Sequence, residues 1–471
     1  MRIGGRTRTH RRTGAVLASI TLLVLTACTG GPSGGPRSPA PGAGDEIVVA
    51  SGRDVTGKNG IRQRLIDAWN DSRDGSTRRA RLVELPGSAD QQRSQMLGAL
   101  QSGSSRYDVV NLDVTWIPEF AEAGLIRQLD DAAVVDPGDL IPSVAATADW
   151  RGKRYAVPFN SDVGLLYYRR DFLADAHVQN TDLSKGITWP QLRKLMNYLD
   201  RHPPQGYEAG WTSQLDSHEG RTVNAVEAFA SVVKDFALTD SDGRYTGSVQ
   251  DLATGVGELR QRTSPAYTLD HAYDSAEQDT LNDFQAGRTA FLRHWPSAYG
   301  PLYQRFSERR LGVAALPGKA VLGGQNLAVT ESSPHARDAA ALIRFLTDPG
   351  SERCLLDAGF AATRTSAYTD DDLSCTHGNA PAAASAASPS ASASGETTDR
   401  MPRDAAGRPR YAQDVLLPAL RRAVQRPRTP LYGPFTQILT ATLQPLFDDG
   451  SQTDAELAGR LDKALRKALS R

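Results

Sequence analysis

From residue 46 onward the chain alternates short β-rich runs with amphipathic helical patterns, and this alternation limits its possible folds more than any other feature. EIVVASG (46–52) reads as a strand, and Ile61, Leu65, Ile66 and Trp69 then recur at helical spacing along one face. ARLVELPG is a second strand, QQRSQMLGALQSG a second helix, and YDVVNLD (107–113) a third strand ending in polar residues. Such a βαβα order predicts an α/β fold with a mostly parallel sheet covered by helices, in which a ligand meets the loops at the carboxyl ends of the strands. Asp54 and Asp113 sit at such ends and are candidates by position. Further on the pattern turns helix-rich through TWPQLRKLMNYLDR, VNAVEAFASVVKDF and VQDLATGVGELRQR, before strands return in RTAFLRHW, LGVAALPG and GGQNLAVT. HARDAAALIRFLTDPG and SERCLLDAG are helical, as is the end of the chain from YAQDVLLPALRRAVQ to AELAGRLDKALRKALSR. Residues 380–400, APAAASAASPSASASGETTDR, are low in complexity and predict a disordered insertion in a surface loop.

The N-terminus has the anatomy of an export signal. Arg2, Arg6, Arg8, Arg11 and Arg12 supply a basic start, and an uncharged apolar run follows from Ala15 to Ala27. That run is shorter than the roughly 20 residues a membrane-spanning helix needs. Leu25, Thr26, Ala27 and Cys28 resemble the lipobox of bacterial lipoproteins, which implies cleavage after residue 27 and acylation of Cys28; the alternative is a chance cysteine at the cleavage boundary. Two acyl chains suffice for stable anchoring. Residues 28–44 then read as a flexible Gly/Pro/Ser tether. Arg11 and Arg12 leave both the general secretory and the twin-arginine routes open.

Cleavage would remove five arginines and no acid, leaving 49 basic against 54 acidic residues, so nucleic acid is not an expected partner. Residues 45–471 exceed what one compact core holds and suit two or three domains. In an oxidising compartment Cys354 and Cys375 read as a disulfide, worth about 3 kcal/mol from loop entropy, with two buried free thiols as the alternative. No CxxC or HExxH spacing occurs, so neither a metal nor a cofactor is expected.

Six stretches, in order, carry a family resemblance: YDVVNLDVTWIPEFAEAGLIRQLD, RYAVPFNSDVGLLYYRRDFL, HEGRTVNAVEAF, LNDFQAGRTAFLRHWPSAY, GGQNLAVT and QRPRTPLYGPFTQIL. Together they resemble the extracellular solute-binding proteins of bacterial ABC sugar importers, of the type that captures trehalose or maltose. The resemblance implies a type II, two-lobed periplasmic-binding-protein-like fold with a hinge and an interlobe cleft. It divides the chain into a first lobe of 45–157 and 299–360 and a second of 158–298 and 361–471. It implies a monomer that delivers its sugar to permease subunits from the extracellular face of the membrane, held there through Cys28.

A pyranose has a rim of hydroxyls and an apolar C–H face, so its binder needs carboxylates or amides at the edge and an aromatic plane beneath. The family pattern points to Trp295 for that plane, with a core tryptophan as the alternative, and to Trp116, which would otherwise wedge between helix and sheet. Asp113, Asp54 and Asp162 are the expected acceptors and Asn160 the amide, each set against a turn or capping role. Glu277 resembles an acidic position of related sugar binders. Gly323 and Gly324 would bring backbone N–H groups close to a ligand or form a tight turn. Arg364 and Arg426 fall where the family keeps a basic residue, able to donate a fork of bonds, or else serve in surface ion pairs. The alternatives to capture are an exported glycoside hydrolase using two of these acids and an adhesion or scaffold protein. No GxSxG elbow or phosphate loop is present, and the family is non-catalytic.

Overall fold

The run IVVA is apolar without alternation because both of its faces are covered, as in strands sandwiched between helices. The computed structural model describes residues 45–53, 60–72, 78–103, 106–377, 400–448 and 450–469 and places this run in Ile47–Gly52 (β1). The signal, the tether, Cys28, Asp54 and residues 380–399 of the expected insertion lie outside the described residues. β1 pairs in parallel with Ala80–Leu85 (β2) and Val109–Asp113 (β3). A small ladder of Asp149–Trp150 (β4) and Lys153–Arg154 (β5) precedes Val157–Val163 (β6). Leu165–Arg169 (β7), Ala209–Thr212 (β8), Thr289–His294 (β9), Leu311–Ala315 (β10) and Leu322–Val329 (β11) complete the strands among the described residues.

Two main sheets result, a five-stranded one of order β2-β1-β3-β11-β6 and a four-stranded one of order β10-β7-β9-β8. The parallel arrangement expected from the βαβα pattern holds for β1, β2 and β3 and for the β8–β9 pair. It does not extend to the rest: β11 runs antiparallel to β3 and β6, and β7 antiparallel to β9 and β10. Connectivity is the reason. β11 arrives from β10 in the other sheet and not through a helical crossover on its own sheet, so the rule that makes βαβ units parallel does not apply to it. The segment 299–360 therefore contributes β10 to one sheet and β11 to the other, and residues 158–163 lie with the first sheet. Only Gly164 separates β6 from β7.

Side-chain alternation sorts the core into layers. Ile47, Val49, Val109, Leu327 and Val329 pack against the helices Ile61–Asp71 and Ala336–Leu346, where the expected apolar face of Ile61, Leu65, Ile66 and Trp69 is buried. Val48, Ala50, Val110 and Leu112 face the other way, onto Met96 and Leu100 of the helix Ala89–Gln101, started by a Ser88–Gln91 capping box. That second layer continues into the helices Glu219–Val232, Val249–Arg262, Tyr432–Asp448 and Asp454–Ala468. The second sheet has its own core, with Leu165 to Tyr168 and Phe291 packed on Leu192, Met196 and Leu199. Among the described residues no helix is long and apolar enough to cross a membrane.

Cys354 and Cys375 are joined, with their Cα atoms 4.5 Å apart, which upholds the disulfide expectation over free thiols. The bond ties the helix Pro349–Asp357 to the stretch that leads into residues 378–399. Replacing both cysteines by serine is expected to lower unfolding free energy by about 3 kcal/mol. In urea the midpoint would fall at a nearly unchanged slope; an unchanged midpoint would show that the bond contributes nothing to stability.

Candidate functional site

The register of β3, β11 and β6 assembles the floor of the site. Gln325 lies opposite Asp113 on one side and Asn160 on the other, and Gly323 lies opposite Asp162. Paired residues share a face, as do residues two apart on a strand, so Asp113, Asn160, Asp162, Gly323 and Gln325 project from one side of the sheet. They do so at the carboxyl end of β3, as the βαβα pattern leads one to expect. Gly324 is needed for close approach. Gly324 has φ +111°, and a Cβ there would lie 2.4 Å from the Asn160 carbonyl oxygen. A Cβ on Gly323 would crowd Asp162 Cβ at 3.2 Å and would meet Trp295 Cζ3 at 3.4 Å, an ordinary contact distance, so the indole lies beside the strand here. Trp295 follows β9 of the second sheet, and the floor belongs to the first, so the site forms where the two sheets meet.

The charges around this floor are mostly committed. Arg426 is buried, and one guanidinium nitrogen donates to both Asp113 oxygens at 2.9 and 3.1 Å while the other donates to Glu219 Oε1 at 2.6 Å. Its Nε has no hydrogen-bond partner among the described residues. Glu219 also accepts from the Tyr432 hydroxyl and, at 3.0 Å, from Thr436 Oγ1. Burial pushes the Glu219 carboxyl up from its ordinary range; Arg426 pulls it down and Asp113 adds to the rise. Asp113 Oδ1 takes two further bonds, from Thr115 N at 2.9 Å and Thr115 Oγ1 at 2.7 Å, so the turn role and the site position coincide in one residue. Arg62 reaches in from the helix Ile61–Asp71 and donates to Ser51 Oγ and Gly52 O on one side and to Asn160 Oδ1 (3.2 Å) and Gln325 Oε1 (3.1 Å) on the other.

Asp162 differs from its neighbours. Burial pushes its carboxyl up to about 7, with Asp113 adding to the rise and Arg62, Arg293 and Arg426 opposing it. Near neutral pH such a group exists in both forms, able to donate or to accept a hydrogen bond. On the other side of the indole, Trp295 Nε1 lies 3.5 Å from Glu277 Oε1, and Glu277 Oε2 lies 3.9 Å from His218 Nε2. The half-buried Trp295 ring has the Arg293 guanidinium 3.8 Å from its centroid.

The structure thus brings together Asp113, Asn160, Asp162, Glu277, Trp295, Gly323, Gly324 and Arg426. Trp116 is buried in the core layer behind β3, with its backbone N–H donating to the Asp113 carbonyl at 2.9 Å. Arg364 is fully buried and spends its guanidinium on the backbone carbonyls of Thr347 (2.7 Å), Val135 (2.5 Å) and Asp136 (3.0 Å). It binds the 135–139 turn to the end of a helix and stands outside the group around Trp295. Arg62, Glu219, Gln325 and Tyr432 were not singled out from sequence. Glu219 and Gln325 lie inside HEGRTVNAVEAF and GGQNLAVT, two of the segments that carry the family resemblance, whereas nothing local marks Arg62. Among the described residues no three His, Cys, Asp or Glu side chains are arranged to hold a metal ion.

Comparison with known proteins agrees with this architecture. The family model for bacterial extracellular solute-binding proteins matches residues 80–383. A probable ABC transporter-binding protein of Deinococcus radiodurans is 29% identical over 327 residues, covering 65% of this chain and 73% of that protein. An uncharacterized lipoprotein from the oleD 5' region of Streptomyces antibioticus is 25% identical over 397 residues, covering 80% and 82%. Among solved structures, maltose-bound T. maritima MalE3 superposes with a TM-score of 0.69 at 21% identity, covering 90% of this chain and 99% of that one. A Thermotoga lettingae solute-binding protein with bound α-D-tagatose reaches 0.70 at 17% identity, covering 90% and 100%. Mycobacterium tuberculosis UgpB in complex with glycerophosphocholine reaches 0.67 at 20%, covering 90% and 98%. At these identities the structural likeness speaks for the fold alone, which is the two-lobed, periplasmic-binding-protein-like α/β fold.

Two expectations follow from the charges. Arg426→Ala leaves two largely buried carboxylates without their shared cation and should cost about 3–5 kcal/mol of unfolding free energy; Arg426→Lys should recover only part, since one ammonium cannot fork between two acids. Urea titration at pH 7 measures both, and a loss under about 1 kcal/mol for the alanine variant would contradict the pairing. For Asp162, the folded carboxyl holds its proton more tightly than the unfolded one between the ordinary value of 3.8 and about 7. Its contribution is therefore fully present at low pH and is lost as pH rises through that window. Unfolding midpoints at pH 5 and pH 8 should show this loss in the unaltered protein and less of it in Asp162→Asn; equal differences would refute a displaced carboxyl.

Proposed function

Because the chain belongs to the bacterial extracellular solute-binding protein family, we propose that it is the capture subunit of an ABC importer, holding a disaccharide of the trehalose or maltose kind between two lobes and passing it intact to the permease. The observation that carries this reading is the position of Trp295 beside the β11 floor, where a Cβ on Gly323 would meet its ring at 3.4 Å, on the strand face that also carries Asp113, Asn160 and Asp162. A sugar ring's C–H face lies on the indole, and its hydroxyls meet carboxylates and an amide. Asp162, poised to donate as well as accept, suits hydroxyls that do both. Micromolar affinity requires about 8 kcal/mol net, within reach of one stacked ring and several charge-assisted hydroxyl bonds after ordering costs.

In this reading each main sheet is the centre of a lobe, the chain crosses between lobes at Gly164 and in the 316–321 stretch, and ligand contacts to both lobes favour the closed form. The protein acts as a monomer on the outer face of the membrane, with Cys28 acylated and residues 29–44 giving the capture domain reach. It performs no chemistry. The bound maltose of the T. maritima neighbour supports a maltose-like ligand, and the tagatose and glycerophosphocholine of other neighbours show how widely ligands vary on this fold.

A thermal-shift screen over disaccharides identifies the ligand, since a molecule that binds only the folded state raises the melting temperature. With the ligand found, Trp295→Ala should remove about 1.5–3 kcal/mol of binding, roughly a ten- to hundredfold rise in Kd by calorimetry. An unchanged Kd would end the role given to Trp295, and release of glucose from labelled disaccharide would favour a hydrolase over capture.

A further inference from the structure

One buried ion pair touches the places where the chain passes between the two sheets. Arg293, on β9, and Glu227, on the helix Glu219–Val232, are both buried and meet through two bonds of 2.7 and 3.1 Å. Glu227 Oε1 also accepts from the N–H of Val321 at 3.0 Å, in the link from β10 of one sheet to β11 of the other. Val321 bridges to Val424, and the Leu322 N–H donates to the Val424 carbonyl at 2.8 Å, so the segment that leads to Arg426 is held at the same point. The second passage is Gly164, where a Cβ would lie 2.3 Å from Glu227 Oε1 and 3.0 Å from Arg293 Nη2. Steric demand from the pair, and not an unusual φ, requires glycine there. The other face of the same guanidinium system meets the site, with Arg293 Cζ 3.8 Å from the centroid of the Trp295 ring.

Apolar residues of equal volume would hold a core at least as well as a buried ion pair. They would not bond a crossing strand's N–H, press against the only residue between β6 and β7, and lie against an indole. We infer that Arg293 and Glu227 are the positioning pair of the hinge: they set where the chain turns at Gly164 and Val321 and, through the stacked guanidinium, the plane that Trp295 offers to a ligand. This rests on the proposed capture of a ligand between two closing lobes. Neither residue is assigned contact with the ligand.

The test uses the full chain without ligand, in two variants: the neutral double Glu227→Gln/Arg293→Gln, and Arg293→Lys, which keeps the charge but loses the planar fork. Amide hydrogen exchange at Leu165 and Leu322, neither bonded to the pair, should be at least tenfold faster in the double variant, while Val48 to Ala50 in β1 keep their rates. Should the double variant not fold, the same comparison on Arg293→Lys decides. Near-ultraviolet circular dichroism should change in Arg293→Lys, and the change should vanish in a Trp295→Phe background. Equal acceleration in β1 and at the crossings marks an ordinary core pair and overturns the inference, as does no acceleration or an unaltered Trp295 signal. If exchange and dichroism behave as stated but no disaccharide binds the unaltered protein, the capture reading fails while the hinge pair stands.

Discussion

Arg426 holds one cation between two carboxylates that are far apart in the chain, Asp113 at the end of β3 and Glu219 at the start of a helix. Neither acid would sit comfortably where it does without that guanidinium, because a buried carboxylate must be paired or protonated. The fork fits this task through geometry: two nitrogens face two acceptors in one plane, which an ammonium cannot reproduce. Tyr432 and Thr436 complete the shell around Glu219 and bind the helix Tyr432–Asp448 to the same point. The end of β3, the start of one helix and the return of the chain near residue 426 are thereby locked together, and the floor beside Trp295 inherits its shape from that lock.

With Asp113 and Glu219 both bonded to Arg426, and Arg62 occupied by Ser51, Gly52, Asn160 and Gln325, the remaining polar capacity at the floor centres on Asp162. Three arginines lower its proton affinity and still do not overcome desolvation. A site of this kind presents an adaptable hydrogen-bonding group beside a rigid aromatic plane, the combination that recognition of a polyhydroxylated ring requires.

Much of the first sheet was legible from residues 46–113, because covering both faces of a strand leaves an uninterrupted apolar run and the helices between carry a 3.6-residue apolar stripe. Strand ends pointed to Asp113, and the family segments pointed to Trp295, Asn160, Asp162 and the paired glycines. Trp116 and Arg364 show the limit of that approach: an aromatic or basic residue at a family position can as readily be consumed by packing, Trp116 behind β3 and Arg364 by three backbone carbonyls. Arg62 was invisible because its helix was recognised by its apolar face, and nothing in a local pattern says which polar residue beside that face turns inward.

Residue order alone determined the α/β class, the alternation of the first elements and the membership of a solute-binding family, since each depends on local spacing or on segments a few residues long. Tertiary structure decided the direction of β11, the meeting of Asp113 with Arg426 across 313 positions, and the burial that displaces Asp162. Those outcomes depend on which distant surfaces exclude water from one another, a quantity that takes its value only once the whole chain has packed.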